Sequence, residues 1–189
     1  MVVEGILTTE SEDGSMHIAP IGPHVDRGMT SWVLKPFQTS RTFSNLHRRS
    51  RAVFHIVDDG LLMVQSVLGM CNAPEYAPSA RFDNAFGWIL HDACRAFPLR
   101  VSAWDLQNER ATATCVEVER IDLKPFWGWN RASNSLLELS ILVSRKHILD
   151  QDSLRQQLEH HRTIIHKTAG DRELFGLQLI EKALLPTDS

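Results

Sequence analysis

Hydroxyls crowd around a guanidinium in Gln38-Thr39-Ser40-Arg41-Thr42-Phe43-Ser44-Asn45-Leu46. Thr39 or Ser40 could cap a short helix here, with Phe43 and Leu46 three apart on one face. A helix start offers unpaired N–H groups and the positive end of the dipole, which favours a phosphate. Arg41 could add a charge-assisted, forked contact, and Ser40 and Thr42 could add hydroxyl donors. The same residues also suit a capped surface helix whose polar groups face water.

Other candidates are less specific. His17-Ile18-Ala19-Pro20-Ile21-Gly22-Pro23 begins as a strand and then turns to poor strand material, because proline removes ladder donors. It is either a plain loop or a place where main chain approaches a ligand. His55, between Phe54 and Ile56, should face away from both, as an interior hydrogen-bonded histidine or part of a pocket wall. Asn130-Arg131 follows Trp127-Gly128-Trp129. Indoles beside an arginine could flank a flat charged ligand, or the two tryptophans could weld helices to a barrel. Arg131, Asn134 and Glu138 share a helix face, as in an ion-pair lattice. His160, His161 and His166 match no metal signature and read as a solvated face. There is no Gly-rich nucleotide loop, GxSxG elbow, HExxH or acid/base carboxylate pair, so no side chain is assigned a catalytic role and no metal is expected.

Val2–Thr9 and Met16–Ala19 read as two strands around a Glu12-Asp13-Gly14-Ser15 turn, with Pro20 ending the pairing. Thr30–Leu34 and Ala52–Val57 read as strands on either side of the short helix. Leu99–Trp104 and Ala111–Ile121 form a hairpin, and residues 61–95 are ambiguous between helix and strand. After Pro125 the texture is helical. Ala132, Leu136, Leu139 and Val143 keep a three-four spacing, and Ser153 with Gln156 suggests a capping box. A last helix starts at Asp171, with Leu174, Leu177 and Leu184 inward, and ends before Pro186. The expected organisation is α+β: an antiparallel barrel or sandwich over residues 1–124 and a helical subdomain over 125–189.

Composition sets bounds. The 189 residues suffice for one sizeable core, and the net charge of -3 gives no electrostatic reason to expect nucleic acid or an anionic membrane as partner. No apolar run reaches a membrane span, and the first residues lack the build of a signal peptide. Cys71, Cys94 and Cys115 are scattered, with no CxxC, as in reduced thiols of a cytoplasmic protein.

Taken in order, Glu4-Gly5-Ile6-Leu7-Thr8-Thr9, the Asp13-Gly14 turn, His17–Pro23, Ser40–Leu46 and Ala52–Asp59 resemble the FMN-binding split-barrel proteins, flavin reductases among them. With the Asn130-Arg131-Ala132 helix and the His166–Glu173 loop added, the chain is similar more closely to the domain of unknown function 447 family, over nearly its whole length. The resemblance implies an antiparallel split β-barrel of the FMN-binding type with a C-terminal helical subdomain. It implies a homodimer with FMN at the interface. On this sequence Ser40, Arg41, Thr42 and Asn45 would hold the phosphate, and Ala19, Pro20, Ile21 and Gly22 would present main chain to the ring. Thr39 stands where relatives often have Gly, and His55 where they often have Asn; both remain compatible with binding. Asn130 and Arg131 join the expected cofactor set. The expectation is a flavin-dependent oxidoreductase acting on a small-molecule redox substrate, or else a dimer that holds flavin or another anionic ligand without turnover. A deazaflavin or pterin-linked carrier as substrate rests only on the habits of the wider superfamily.

Overall fold

A computed structural model describes residues 1–184. The expected end of the last helix before Pro186 lies outside the described residues. The chain divides into two units, residues 1–57 with 77–126, and residues 58–76 with 127–184.

The first unit is built on an antiparallel sheet. Strands β1 (Gly5–Glu10), β2 (Met16–Ile21), β3 (His24–Val25), β4 (Trp32–Leu34), β5 (Arg51–Ile56), β8 (Arg95–Asp105) and β9 (Thr112–Glu117) run in the order β2-β1-β5-β8-β9-β4-β3. Strand β10 (Ile121–Asp122) pairs with the start of β8, and β6 (Ala80–Asp83) with β7 (Gly87–Leu90) forms a separate hairpin. Helix α1 (Arg41–Arg49) sits between β4 and β5 in sequence.

One face of this curled sheet holds the barrel core of Leu7, Trp32, Leu34, Phe54, Phe97, Leu99, Ala113 and Cys115, into which α1 inserts Leu46. Trp32 lies 4.9 Å from Phe97 and 5.5 Å from Phe54 between ring centroids, and its indole N–H donates to Met29 O at 2.8 Å. The other face packs Val53 and Ala96 against Ile89 of β7. Period-two alternation thus loads both faces of β5 with apolar side chains, and Ala52 to His55 are all buried.

Pro20 does not end the first hairpin. Strand β2 runs on to Ile21, with Ala19 opposite Leu7, Pro20 opposite Ile6 and Ile21 opposite Gly5. The reason is position: β2 is an edge strand, where the nitrogen of a proline can face away from the only partner. Gly5 is fixed by crowding, since a Cβ there would lie 2.5 Å from both His55 O and Phe54 Cζ. The expected strand 111–121 ends at Glu117: Val118 N still bonds Pro98 O in register, but Pro98 has no N–H to return the bond, and β10 joins β8 separately.

The second unit is helical: α2 (Gly60–Val67), α3 (Arg131–Ser144), α4 (Gln151–Thr168) and α5 (Asp171–Leu184). Its core joins Val64, Leu136, Leu139, Leu158, Ile165, Leu177 and Ile180. Leu177 and Ile180 are the inner residues of α5, while Leu174 and Leu184 pack at its margin. The ambiguous stretch after residue 60 therefore opens as a buried helix, capped by Asp59, whose Oδ1 accepts from Leu61 N and Leu62 N. A Cβ on Gly60 would come within 2.8 Å of Ser133 Cα, so the glycine lets α2 approach α3. The cap of α4 is Asp150, accepting from Ser153 N at 2.8 Å, rather than Ser153. An aspartate three residues earlier satisfies the same first-turn donors. The expected ion-pair lattice on α3 is not formed, and neither Arg131 nor Glu138 makes a salt bridge among the described residues. No helix among the described residues is long and apolar enough to cross a membrane.

Candidate functional site

Ser40 is the cap of α1. Its backbone is extended (φ -82°, ψ 151°), its Oγ accepts from Phe43 N at 3.1 Å, and its hydroxyl donates to Phe37 O at 2.7 Å. Thr39 and Arg41 beside it are exposed. Arg41 makes no salt bridge or hydrogen bond among the described residues, although its charge reaches Asp13 in the β1–β2 turn. Two hydrogen bonds from Ser15, with a smaller contribution from Arg41, hold the Asp13 carboxyl below its ordinary range.

Thr42 and Asn45 behave differently. Three apart, they share the buried face of α1 and meet Thr9 and His17, which are directly opposed across β1 and β2. Asn45 Nδ2 donates to Thr9 Oγ1 at 3.0 Å, and Thr42 Oγ1 lies 3.3 Å from His17 Nε2. Thus Thr39, Ser40 and Arg41 line the helix start, while Thr42 and Asn45 bolt the helix to the sheet. Thr9 and His17 escaped the sequence reading. The signal was there, because a five-residue turn closed by Ser11 N to Ser15 O fixes which residues stand opposite.

By the same alternation, Ala19 and Ile21 lie on the α1 face of β2. From His17 to Ile21 the strand advances about 14 Å. Gly22 follows, where a Cβ would fall 2.6 Å from Val2 Cγ1 and 2.9 Å from Glu4 Oε1. The helix start and the Ala19–Gly22 segment therefore occupy one face of one hairpin, towards opposite ends.

A second feature lies at the Ile21 end. Ile56 pairs with Arg95, and Arg95 with Asp122, continuing across the sheet the row that begins with Ile21 and Gly5. There Ile56, Cys94, Leu123, Lys124, Pro125 and Phe126 wall an open cavity of about 540 Å³, with the Arg95–Asp122 ion pair on its rim. Nothing in the sequence drew attention to residues 121–126.

His55 lies on the opposite face from α1. It is fully buried, its Nε2 accepts from Leu90 N at 3.1 Å, and its Nδ1 stands 3.3 Å from Ile6 O. Accepting at Nε2 fixes the neutral tautomer with hydrogen on Nδ1. Burial pushes its pKa down to about 4. Of the two sequence readings, the interior hydrogen-bonded histidine describes this geometry. Asn130 and Arg131 belong to the helical unit. Asn130 caps α3, accepting from Ser133 N at 2.9 Å, and Arg131 is exposed. Trp127 and Trp129 are 89% and 87% exposed, so neither is a core residue.

The charges say what this arrangement can do. Asp13, Asp26 and Asp83, the carboxylates with resolved shifts, are all pulled down by hydrogen bonds and remain charged. Burial pushes the Cys71 thiol up to about 11 and that of Cys115 to about 12, which leaves both unreactive. No group of histidines, cysteines or acids among the described residues could hold a metal. The helix start offers N–H groups and a guanidinium suited to an anion and the β2 edge offers main chain, with no acid/base couple beside them among the described residues.

The family profile described as "Protein of unknown function (DUF447) N-terminal domain" matches residues 3–123, and that for DUF447 matches residues 130–182. The chain belongs to the DUF447 family. Among solved structures, it is similar to an FMN-bound DUF447 protein from Methanosarcina mazei, at 20% identity and a TM-score of 0.80, covering 97% of this chain and 95% of that one. It is also similar to the styrene monooxygenase flavin reductase of Pseudomonas putida S12, at 13% identity and a TM-score of 0.53, over 65% of this chain and 82% of that one. An FMN-binding protein from Thermus thermophilus matches at 13% identity and a TM-score of 0.53, over 64% and 70% of the two chains. No curated protein matches. These likenesses establish the antiparallel split barrel with C-terminal helices for this DUF447 member.

Proposed function

We propose that this chain binds FMN and works as a flavin-dependent oxidoreductase on a small-molecule redox substrate, as a homodimer in the cytoplasm. The observation that carries the reading is a single hairpin face. It bears an exposed arginine at a capped helix start and, about 14 Å along β2, an edge strand ending in Pro20-Ile21-Gly22. Support for FMN also comes from the Methanosarcina mazei relative, which carries it. Three cysteines outside any disulfide accord with a reducing compartment.

In this reading Thr39, Ser40 and Arg41 hold the phosphate through hydroxyls, first-turn N–H groups and a guanidinium. Ala19 to Gly22 turn main-chain groups towards the ring from a strand edge that has no neighbour in the sheet. Thr42 and Asn45 orient the helix rather than touching phosphate directly, through His17 and Thr9. Bound FMN supplies the hydride and electron chemistry, which accords with a site lacking an acid/base couple. The 540 Å³ cavity at the Ile21 end offers an apolar wall on the substrate side.

An absorption spectrum of the purified protein and a titration with FMN test the reading. A colourless protein that takes up no FMN ends it. Arg41→Ala should weaken FMN binding by about 1.5–3 kcal/mol, as expected for loss of a charge-assisted bond. A site in which Asp13, the shifted acid nearby, is held ionised equally suits a dimer that holds flavin without turnover. Rapid anaerobic reduction of bound flavin by NADH or NADPH separates the enzyme from the carrier.

A further inference from the structure

Two arginines face each other across the middle of the sheet. Arg51 of β5 and Arg100 of β8 are register partners, which sets their Cβ atoms about 5 Å apart on one face. Like charges directly opposed in this way weaken a sheet unless something answers them. Arg51 is partly answered: it pairs with Glu10 at 2.7 Å and donates to Asn84 O at 2.8 Å. Its Nε, however, is buried and has no acceptor among the described residues. Arg100 is exposed and makes neither ion pair nor hydrogen bond among the described residues. Arg49, from the last turn of α1, shares the same Glu10 carboxylate at 2.9 Å. One acid thus serves two of three neighbouring arginines.

These arginines wall a cavity of about 240 Å³ with Ser50, Phe86 and Pro98, and no acidic side chain lines it. We propose that this cavity is an anion site for a phosphate group, separate from the flavin phosphate at the α1 start. The planar forks of three guanidiniums suit a tetrahedral oxyanion with several acceptor oxygens. An anion there would answer the Arg51–Arg100 opposition and give the Arg51 Nε hydrogen an acceptor. The site lies on the His55 face of the sheet, whereas the start of α1 covers the other, so the proposal does not depend on the flavin reading.

Calorimetric titration of the flavin-free protein at constant ionic strength tests it, with inorganic phosphate and phenyl phosphate as probes. Saturable binding is expected that persists in Arg41→Ala, which weakens the helix-start site, along with a loss of roughly tenfold or more in Arg100→Ala. Arg100→Lys should retain part of the affinity, and because Arg100 makes no internal bond both variants should fold. Tighter binding of phenyl phosphate assigns the site to monoesters, tighter binding of inorganic phosphate to the free ion, and both uphold it. Phosphate affinity should persist when the protein carries one equivalent of FMN. Absence of saturable binding, or unchanged affinity in Arg100→Ala, would overturn the proposal. If the protein takes up no FMN, the flavin reading falls while the phosphate titration still stands.

Discussion

The two faces of the β1–β2–β5 sheet use similar residue types for opposite ends. On one face, His17, Thr9, Thr42 and Asn45 meet at the foot of the helix start. On the other, Thr8 and His55 are sunk among main-chain groups of the β6–β7 hairpin, and Glu10 gathers arginines. His17 is half-buried and next to solvent, while His55 is fully buried and spans two backbone groups. A histidine near a helix start can take part in ligand binding. One locked between an acceptor and a donor of the main chain is a strut.

The largest test of that division is His55→Leu. It leaves Leu90 N–H without its partner in the interior, at a cost of about 1–3 kcal/mol in urea unfolding. Such a variant, if still folded, should take up FMN normally; lost uptake in a stable fold would break the comparison. Next comes pH. His55 titrates near 6.5 when unfolded and about 4 when folded, so the unfolded state binds the extra proton first. Its contribution is complete above pH 6.5 and is lost as pH falls towards 4, by up to about 3 kcal/mol. Unfolding midpoints measured from pH 7 to pH 4 should show this slope, and in His55→Gln it should flatten. Asn45→Ala removes the bond to Thr9 and should cost about 1–2 kcal/mol of stability, in contrast to Arg41→Ala, which should leave the melting temperature alone. The smallest effect is that of Ser40→Ala, about 1 kcal/mol from the lost cap, read by thermal denaturation.

Some of this was legible from sequence and some was not, for definite reasons. The β1–β2 hairpin, the capped α1 and the three-four stripe of α3 follow from local turn chemistry and periodicity, which need no distant partner. Pro20 was misread because proline's meaning depends on whether a strand has one neighbour or two, and sheet order is not a local property. Helix α2 hid in an apolar run, since a helix buried on all sides has no polar face to set its period. The hydroxyl-rich segment was visible as a set of residue types, but its split into a helix start and two anchors depended on the Thr9–His17 pair. The opposition of Arg51 and Arg100 was beyond reach, because it arises from register between strands 49 residues apart.

The attachment of the β6–β7 hairpin bears on how this fold can vary. Thr8 Oγ1 donates to Trp88 O, and His55 Nε2 receives Leu90 N. In both, the sheet supplies the side chain and the hairpin supplies only backbone, which every sequence has. Much of the identity requirement therefore rests on β1 and β5. The hairpin can exchange many of its residues, provided Ile89 keeps its bulk and Trp88 the indole N–H that donates to Gly14 O, and still be recognised as the same piece of cover.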